Sequence, residues 1–163
     1  MDAATKRVRF EIAKEDIKFS AGHFTIFADG SRERLHGHNY RVRLRADYLV
    51  GDGDISVDYG ELKRALRRVC ARYDEYTLLP ANSRFLRLTR VDGSIEALIG
   101  DSRFVFPEGD ARVLPVENIT GEALAPLLRG EFLAELAANG VPLPSRCEIG
   151  VGSGDGQWVD CVD

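Results

Sequence analysis

Two long runs of alternating apolar and polar residues place the strongest constraint on how this chain can fold. The first run extends from Val8 to Phe19 and the second from His38 to Val50. Such alternation is typical of strands with one buried face. Between the runs lies Asp29-Gly30, a sequence that favours a tight turn. The sequence therefore predicts a long antiparallel hairpin.

A row of arginines lies on the polar face of the second run, at Arg41, Arg43 and Arg45. Such a row is consistent with a phosphate-binding channel and equally with a strand face that is solvated. The sequence leaves both interpretations open.

The remaining segments predict two helices and further strands. A helix is expected from Asp58 to Tyr73, because Asp58 can cap it and Glu61 completes an acidic capping box. A second helix is expected from Thr120, as its N-cap, towards Ala138. Strand-like patterns occupy residues 85–106, 146–152 and 157–162. This order of elements predicts an α+β fold built on an antiparallel sheet.

Composition narrows the class of protein. The chain has 163 residues, of which 44% are hydrophobic and 29% charged, as in an average globular domain. We therefore expect one domain spanning residues 1–163. No apolar stretch approaches the ~20 residues of a membrane helix, and charges interrupt the first 16 residues, so we expect a cytoplasmic protein with no membrane partner. A net charge of −4 argues against a nucleic-acid partner.

The histidines indicate a metal site. His23, His36 and His38 are the only three in the chain and fall within sixteen residues. On a strand, His36 and His38 share one face, and the predicted hairpin brings His23 in from the neighbouring strand. Three neutral imidazoles with a fourth position open is the ligand set of catalytic zinc. The alternative is three unrelated surface histidines.

Two other residue types bear on chemistry. Glu33 lies three residues before His36, either as a base aimed at a metal-bound substrate or as part of a solvated charge run. Strict strand alternation would turn it away from the histidines, so the first role requires a loop at that point. The cysteines, with no C-x-x-C pair, are expected to be reduced thiols; they are Cys70, Cys147 and Cys161.

Five segments also match known signatures in order, namely Phe19–His23, Leu35–Tyr40, Val57–Lys63, Tyr73–Leu79 and Asn118–Leu124. Together they resemble the 6-pyruvoyl-tetrahydropterin synthase / 6-carboxy-tetrahydropterin synthase family. The resemblance implies the tunnelling fold, an antiparallel sheet with two helices on one face. In that fold the chains associate as homo-oligomers, with trimers that form a barrel and stack into hexamers. It also implies zinc on the three histidines, a small-molecule dihydropterin substrate, and substrate contacts from Thr120 and Glu122.

The chain departs from the family pattern at three places. Arg32 stands where the family has its catalytic cysteine, and Asp74-Glu75 stands where it has an Asp-His proton relay. No carboxylate falls near Gly152 or Ser153, where a glutamate anchors the pterin ring. Carboxylates that would compensate for it are Glu148 and Asp155.

One branch of the family, type III, carries a glutamate in place of the cysteine, and residues 32–40 resemble that branch. The resemblance implies that Glu33 is the base in a retro-aldol cleavage of 7,8-dihydroneopterin, or its triphosphate, to 6-hydroxymethyl-7,8-dihydropterin, with Asp74 and Glu75 as the relay. Glu33 would then need a raised pKa. Arg32 and Arg34 would oppose that shift if they point inward, and would otherwise be able to hold the triphosphate. The alternatives are synthesis of 6-carboxy- or 6-pyruvoyl-tetrahydropterin, and a pterin-binding zinc protein without catalysis.

Overall fold

The computed structural model describes residues 6–162, so both ends of the expected domain, residues 1–5 and 163, lie outside it. The strands are β1 (Arg7–Ile12), β2 (Lys18–His23), β3 (His36–Leu49), β4 (Tyr76–Pro80), β5 (Arg87–Val91), β6 (Ser94–Ile99), β7 (Ser102–Pro107), β8 (Ala111–Leu114), β9 (Arg146–Gly154) and β10 (Gln157–Cys161). The helices are α1 (Tyr59–Ala71) and α2 (Gly121–Ala138). Short 3₁₀ turns occur at Asp52–Asp54 and Glu108–Asp110.

The long strand β3 organises the larger sheet, whose order is β10-β9-β3-β2-β4-β8 with β1 also paired to β3. The first half of β3 pairs antiparallel with β2, and its second half pairs antiparallel with β1. The predicted single strand from Val8 to Phe19 is therefore two strands. The break follows from a turn between them, where residues 13–16 are exposed and Ile17 N donates to Lys14 O at 3.1 Å.

Two strands of the larger sheet were not predicted and run parallel to their neighbours. Strand β4 pairs in parallel with β2 on one side and with β8 on the other. The sheet is therefore mixed, whereas the sequence predicted an antiparallel one. A separate antiparallel sheet contains β5, β6 and β7, with turns at Asp92-Gly93 and Gly100-Asp101.

Both helices begin where the sequence predicts. The Asp58 side chain accepts a hydrogen bond from Gly60 N at 2.7 Å and so caps α1. Glu61 does not complete the capping box, because its carboxylate pairs with Arg64 at 2.6 Å. Thr120 is the N-cap residue of α2, although its side chain makes no capping hydrogen bond.

The helices cover one face of the larger sheet. Leu62 and Leu66 of α1 and Leu128 of α2 are buried in one apolar cluster with the core face of β2, β3 and β9. The segment between β2 and β3, residues 24–35, packs elsewhere and is called the arm. Its Phe24 stacks on Phe104 of β7 at 5.2 Å between ring centroids, within a second cluster formed against the three-stranded sheet.

The opposite face of β3 is lined with ion pairs. Each arginine of the row has a carboxylate partner: Arg41 with Asp155 at 3.6 Å, Arg43 with Asp160 at 2.6 Å, and Arg45 with Glu11 at 3.3 Å. This pairing supports the interpretation of the row as a solvated strand face over that of a phosphate channel. Neither described helix is both long and apolar enough to span a membrane.

Candidate metal centre and active site

The three histidines converge at the end of the β2–β3 hairpin. His23, the last residue of β2, lies directly opposite His36, the first residue of β3, and His38 follows two residues later on the same face. One ring nitrogen from each lies within 4.8 Å of the others. The predicted juxtaposition is confirmed.

Hydrogen bonds orient two of the rings towards a common centre. His23 Nδ1 donates to Ile119 O at 2.9 Å and His36 Nδ1 donates to Arg34 O at 2.7 Å, which leaves Nε2 of each ring with its lone pair. Backbone partners of this kind orient the histidine ligands of metal sites.

The chemistry of the cluster fits a metal ion. His23 is buried, and its Nε2 has no hydrogen-bond partner among the described residues. Burial also lowers the pKa of His23, which favours the neutral imidazole that a metal requires. His36 Nε2 and His38 Nε2 lie only 3.0 Å apart. An ion such as zinc would satisfy all three nitrogens at once.

Glu33 lies in the loop conformation that its candidate role requires. Strand β3 begins only at His36, so strand alternation does not govern Glu33. Its backbone N donates to Thr25 O at 3.0 Å, and its carboxylate Oε2 accepts from Thr25 N at 3.1 Å. Hydrogen bonding by Thr25 lowers the pKa of Glu33, against the opposing effect of burial. The shift is therefore opposite to the raised pKa that the role of Glu33 as a base requires.

Arg32 is committed to contacts within the protein. Its Nη1 donates to Glu33 O at 2.8 Å and its Nη2 donates to Ser102 Oγ at 2.9 Å. The guanidinium also lies 4.7 Å from the ring centroid of Phe104. These contacts do not favour the expected role of Arg32 in holding a triphosphate, whereas Arg34 is exposed.

Asp74 and Glu75 lie beside β2 at the start of β4. Asp74 Oδ1 accepts from Ser20 N at 2.7 Å, and Glu75 N donates to Ser20 O at 2.7 Å. Glu75 has a φ of 64°, unusual for a residue with a side chain. It lines a cavity of about 450 Å³ that His38 also lines. Asp74 is thus held by the backbone, while Glu75 borders space next to one histidine.

A second cavity, of about 430 Å³, lies between the start of α2 and the β9–β10 hairpin. Its lining residues include Glu122, Tyr40, Ser153, Gln157 and Trp158. The Tyr40 ring lies 5.4 Å from that of His38 and 5.9 Å from that of His23, so one residue that lines the cavity is a neighbour of the histidines. Thr120, half-buried, follows the Ile119 carbonyl that holds His23.

The expected compensating carboxylates do not line this second cavity. Glu148 is buried and pairs with Arg146 at 3.1 Å, and Asp155 pairs with Arg41. A side chain at Gly152 would meet Trp158, since a Cβ there would lie 3.1 Å from the indole ring. Glu122 is the carboxylate that lines the cavity.

Comparison with known proteins decides the family. Residues 11–145 match the family described as 6-pyruvoyl tetrahydropterin synthase. The chain belongs to this family. Its members are lyases that act on pterins. The resemblance inferred from the five sequence segments is confirmed.

Individual relatives agree with the family. The chain is 24% identical over 142 residues to a putative 6-carboxy-5,6,7,8-tetrahydropterin synthase of Methanocaldococcus jannaschii, covering 86% of each protein. It is 25% identical to the crystal structure of Plasmodium vivax 6-pyruvoyl tetrahydropterin synthase, with a TM-score of 0.87 and coverage of 96% of this chain and 97% of that one. A variant of the P. vivax protein, in which a glutamate described as a catalytic residue is replaced by alanine, matches with the same identity, coverage and TM-score. The fold is thus that of the family, a curled mixed sheet with two helices.

The sequence did not reveal the contact that Asn118 makes with the arm. The Asn118 amide pairs with both backbone groups of Ile26, through Nδ2 to Ile26 O at 2.7 Å and Oδ1 to Ile26 N at 3.1 Å. Asn118 thus joins the arm to the segment whose Ile119 carbonyl accepts the hydrogen bond from His23. The only available signal was its place beside the Thr120 segment, which does not reveal a partner 92 residues away.

Proposed function

We propose that this chain is a zinc-dependent lyase that cleaves the side chain of 7,8-dihydroneopterin, or its triphosphate, to give 6-hydroxymethyl-7,8-dihydropterin. The observation that carries the proposal is the Glu33 carboxylate, which Thr25 holds in the loop that leads into His36. The P. vivax relative, in which a glutamate is described as a catalytic residue, supports a catalytic role for a glutamate.

His23, His36 and His38 would hold the zinc ion through Nε2, leaving a fourth position for substrate. When bound, zinc supplies a Lewis acid that lowers the pKa of a substrate side-chain hydroxyl. A carboxylate with a lowered pKa is by itself a weak base for an alcohol. The metal and Glu33 therefore have to act together, and neither is expected to suffice alone.

Glu33 would take the proton of the 2′-hydroxyl. The C1′–C2′ bond would then break, so that C2′ and C3′ leave as a two-carbon hydroxyaldehyde, with any phosphates attached. The bonding electrons would pass into the conjugated dihydropterin ring at C6 and N5. A proton delivered to C1′ completes the hydroxymethyl product. Glu75, which borders the same cavity as His38, would carry that proton, and Asp74 would form the rest of the relay.

Glu122 and Thr120 would bind the substrate. Glu122 lines the cavity next to Tyr40, and its carboxylate can accept hydrogen bonds from the N–H groups of a pterin ring. This position takes over the ring contact that Gly152 cannot make.

The proposed assembly is a homo-oligomer, a trimer or a hexamer. Strands β10 and β8 end the larger sheet on its two sides. Such edges present backbone groups that another copy can pair with, which closes a curled sheet into a barrel. Size-exclusion chromatography with light scattering would overturn this part of the proposal by finding a monomer.

The test is to identify the product. Zinc-loaded protein is incubated with 7,8-dihydroneopterin and, separately, with its triphosphate, and the pterins are separated by chromatography. Formation of 6-hydroxymethyl-7,8-dihydropterin supports the proposal. Tight binding of the pterin without turnover would overturn it and favour a non-catalytic zinc protein.

The second candidate is synthesis of 6-carboxy-tetrahydropterin, favoured by the M. jannaschii relative described by that activity. Synthesis of 6-pyruvoyl-tetrahydropterin is the related possibility. Either tetrahydropterin product in the same assay would replace the lyase assignment.

A further inference from the structure

Arg32 connects the arm to the three-stranded sheet. Its guanidinium packs over Phe104 at 4.7 Å and also faces the ring of Phe24 at 5.7 Å. The two Nη atoms of Arg32 donate in different directions, Nη2 to Ser102 Oγ and Nη1 to the carbonyl oxygen of Glu33. One side chain thus bridges β7 and the residue proposed as the base.

The sheet end of this bridge is well anchored. Phe104 stacks on Phe24 at 5.2 Å and on Phe106 at 6.0 Å, and β7 pairs along its full length with β6. Planar guanidinium groups are suited to this combination of ring stacking and two hydrogen bonds, which an ammonium group cannot reproduce.

The Glu33 end has few degrees of freedom left. Arg32 holds the Glu33 carbonyl, and Thr25 holds its N–H and one carboxylate oxygen. With both backbone groups and one carboxylate oxygen of Glu33 held in this way, the positions open to its side chain are restricted. Small displacements of a catalytic group, of about 1 Å, can cost ~100-fold in rate.

We infer that Arg32 is a positioning residue that aims Glu33 at the metal centre by fastening the arm to β7. The inference rests on the proposed function, in which Glu33 is the base. It assigns a role to the three-stranded sheet, which makes no part of the histidine cluster but supports the loop leading into it.

The experiment compares Arg32→Met and Arg32→Lys with the matched control Arg84→Met. Arg84 also stacks on a ring, Phe85 at 4.6 Å, and donates to an arm carbonyl, Ala28 O at 3.3 Å, but touches nothing at Glu33. For the 6-hydroxymethyl product, kcat should fall about 10- to 100-fold in Arg32→Met with little change in KM. Arg32→Lys should recover part of the loss, and Arg84→Met should remain close to wild type. Wild-type kcat in Arg32→Met would overturn the inference.

Combination with the base tests whether Arg32 acts through Glu33. The double variant Arg32→Met/Glu33→Gln should be no slower than Glu33→Gln alone, because there is no base left to aim. Multiplicative losses would overturn the inference while leaving the role of Glu33 intact.

A measurement without substrate separates this inference from the proposed function. The amide hydrogens of Thr25 and Glu33, both bonded within the arm, should exchange faster in Arg32→Met than in wild type or Arg84→Met. Unchanged exchange would overturn the inference whatever reaction the protein catalyses. Faster exchange in a protein that makes no hydroxymethyl product would support the bridge and reject the function.

Discussion

Each histidine of the cluster comes from a different local environment, although the three nitrogens share one centre. His23 is buried and held by the Ile119 carbonyl, while His36 is exposed and held by Arg34 O. These are the only histidines of the chain, so a metal that binds through imidazole has no other site in this protein. A buried Nε2 without a hydrogen-bond partner among residues 6–162 is costly unless an ion binds it.

We predict that wild type retains about one zinc per chain after dialysis and that His23→Ala retains far less, because the buried ligand is lost. Elemental analysis together with the absorption spectrum of the cobalt-substituted protein measures this. Full zinc retention by His23→Ala, with an unchanged tetrahedral cobalt spectrum, would contradict the three-histidine site.

The candidate site shows which residues a sequence can reveal. His36 and His38 share a face by strand periodicity, and the hairpin supplies His23, so their meeting is predictable. The role of Arg32 is not, because its partners Ser102 and Phe104 lie about 70 residues away and belong to another sheet. The direction of the Glu33 pKa shift was also unpredictable, since it depends on a hydrogen bond from Thr25 within an irregular loop.

At the scale of elements, the start of α2 is fitted closely against β10. A Cβ at Gly121 would lie 2.8 Å from a methyl carbon of Val159, whereas nothing lies within 4 Å of the corresponding position at Gly130. Both glycines are inside the same helix, and both would be improved by alanine on helix propensity alone. Packing therefore opposes an alanine at Gly121 but not at Gly130.

We predict that Gly121→Ala lowers the free energy of unfolding by about 1–3 kcal/mol, because the helix must shift away from the sheet. Gly130→Ala is the matched control and should raise it by about 0.5–1 kcal/mol. Urea unfolding followed by circular dichroism measures both. Equal stabilisation by the two substitutions would show that α2 does not press on β10 at Gly121.

Strands β1 and β3 are joined by an ion pair whose carboxylate is largely shielded from solvent. Arg9 and Asp47 are direct register partners, and Arg9 Nε donates to Asp47 Oδ1 at 2.6 Å. Asp47 is buried, and the hydrogen bond from Arg9 lowers its pKa. In the neighbouring pair of Arg45 and Glu11 the carboxylate is more exposed than that of Asp47, and the contact is longer, at 3.3 Å.

We predict that Arg9→Met lowers the stability at pH 7, and by more than the matched change at Arg45, because it removes the partner of a largely buried carboxylate. Because the folded pKa of Asp47 lies below its unfolded value of about 3.9, this contribution is present above that pH and is lost as pH falls through the folded value. Urea midpoints of wild type and variant should therefore converge below about pH 4. Arg45→Met is the control and should cost less than about 1 kcal/mol. A difference for Arg9→Met that persists unchanged in acid would contradict the assignment.

The elements themselves differ in how far their sequences specify them. Helix α1 has an N-cap at Asp58 and a regular apolar stripe, so its position follows from local patterning. Strands β4 and β8 have five and four residues, too few to show a period. Their parallel pairing also joins distant segments, such as Thr77 with Ala111, which no local signal records.

At the scale of the whole molecule, the candidate site combines residues that two different sheets hold in place. The larger sheet carries the three histidines at the end of its β2–β3 hairpin, and the three-stranded sheet holds the arm that carries Glu33. The proposed metal ligands and the proposed base thus come from separate sheets and are joined through residues 32–36. The chain belongs to the 6-pyruvoyl tetrahydropterin synthase family. The proposed reaction requires the histidine cluster and Glu33 to act together.

The most direct test compares wild type with Glu33→Gln at equal zinc content. Glu108→Gln, which changes an exposed glutamate paired with Arg90, is the control. Formation of 6-hydroxymethyl-7,8-dihydropterin should fall by about 100- to 10,000-fold in Glu33→Gln, as expected for loss of a general base, and remain unchanged in Glu108→Gln. Product formation by Glu33→Gln at the wild-type rate, with zinc fully bound, would contradict the account.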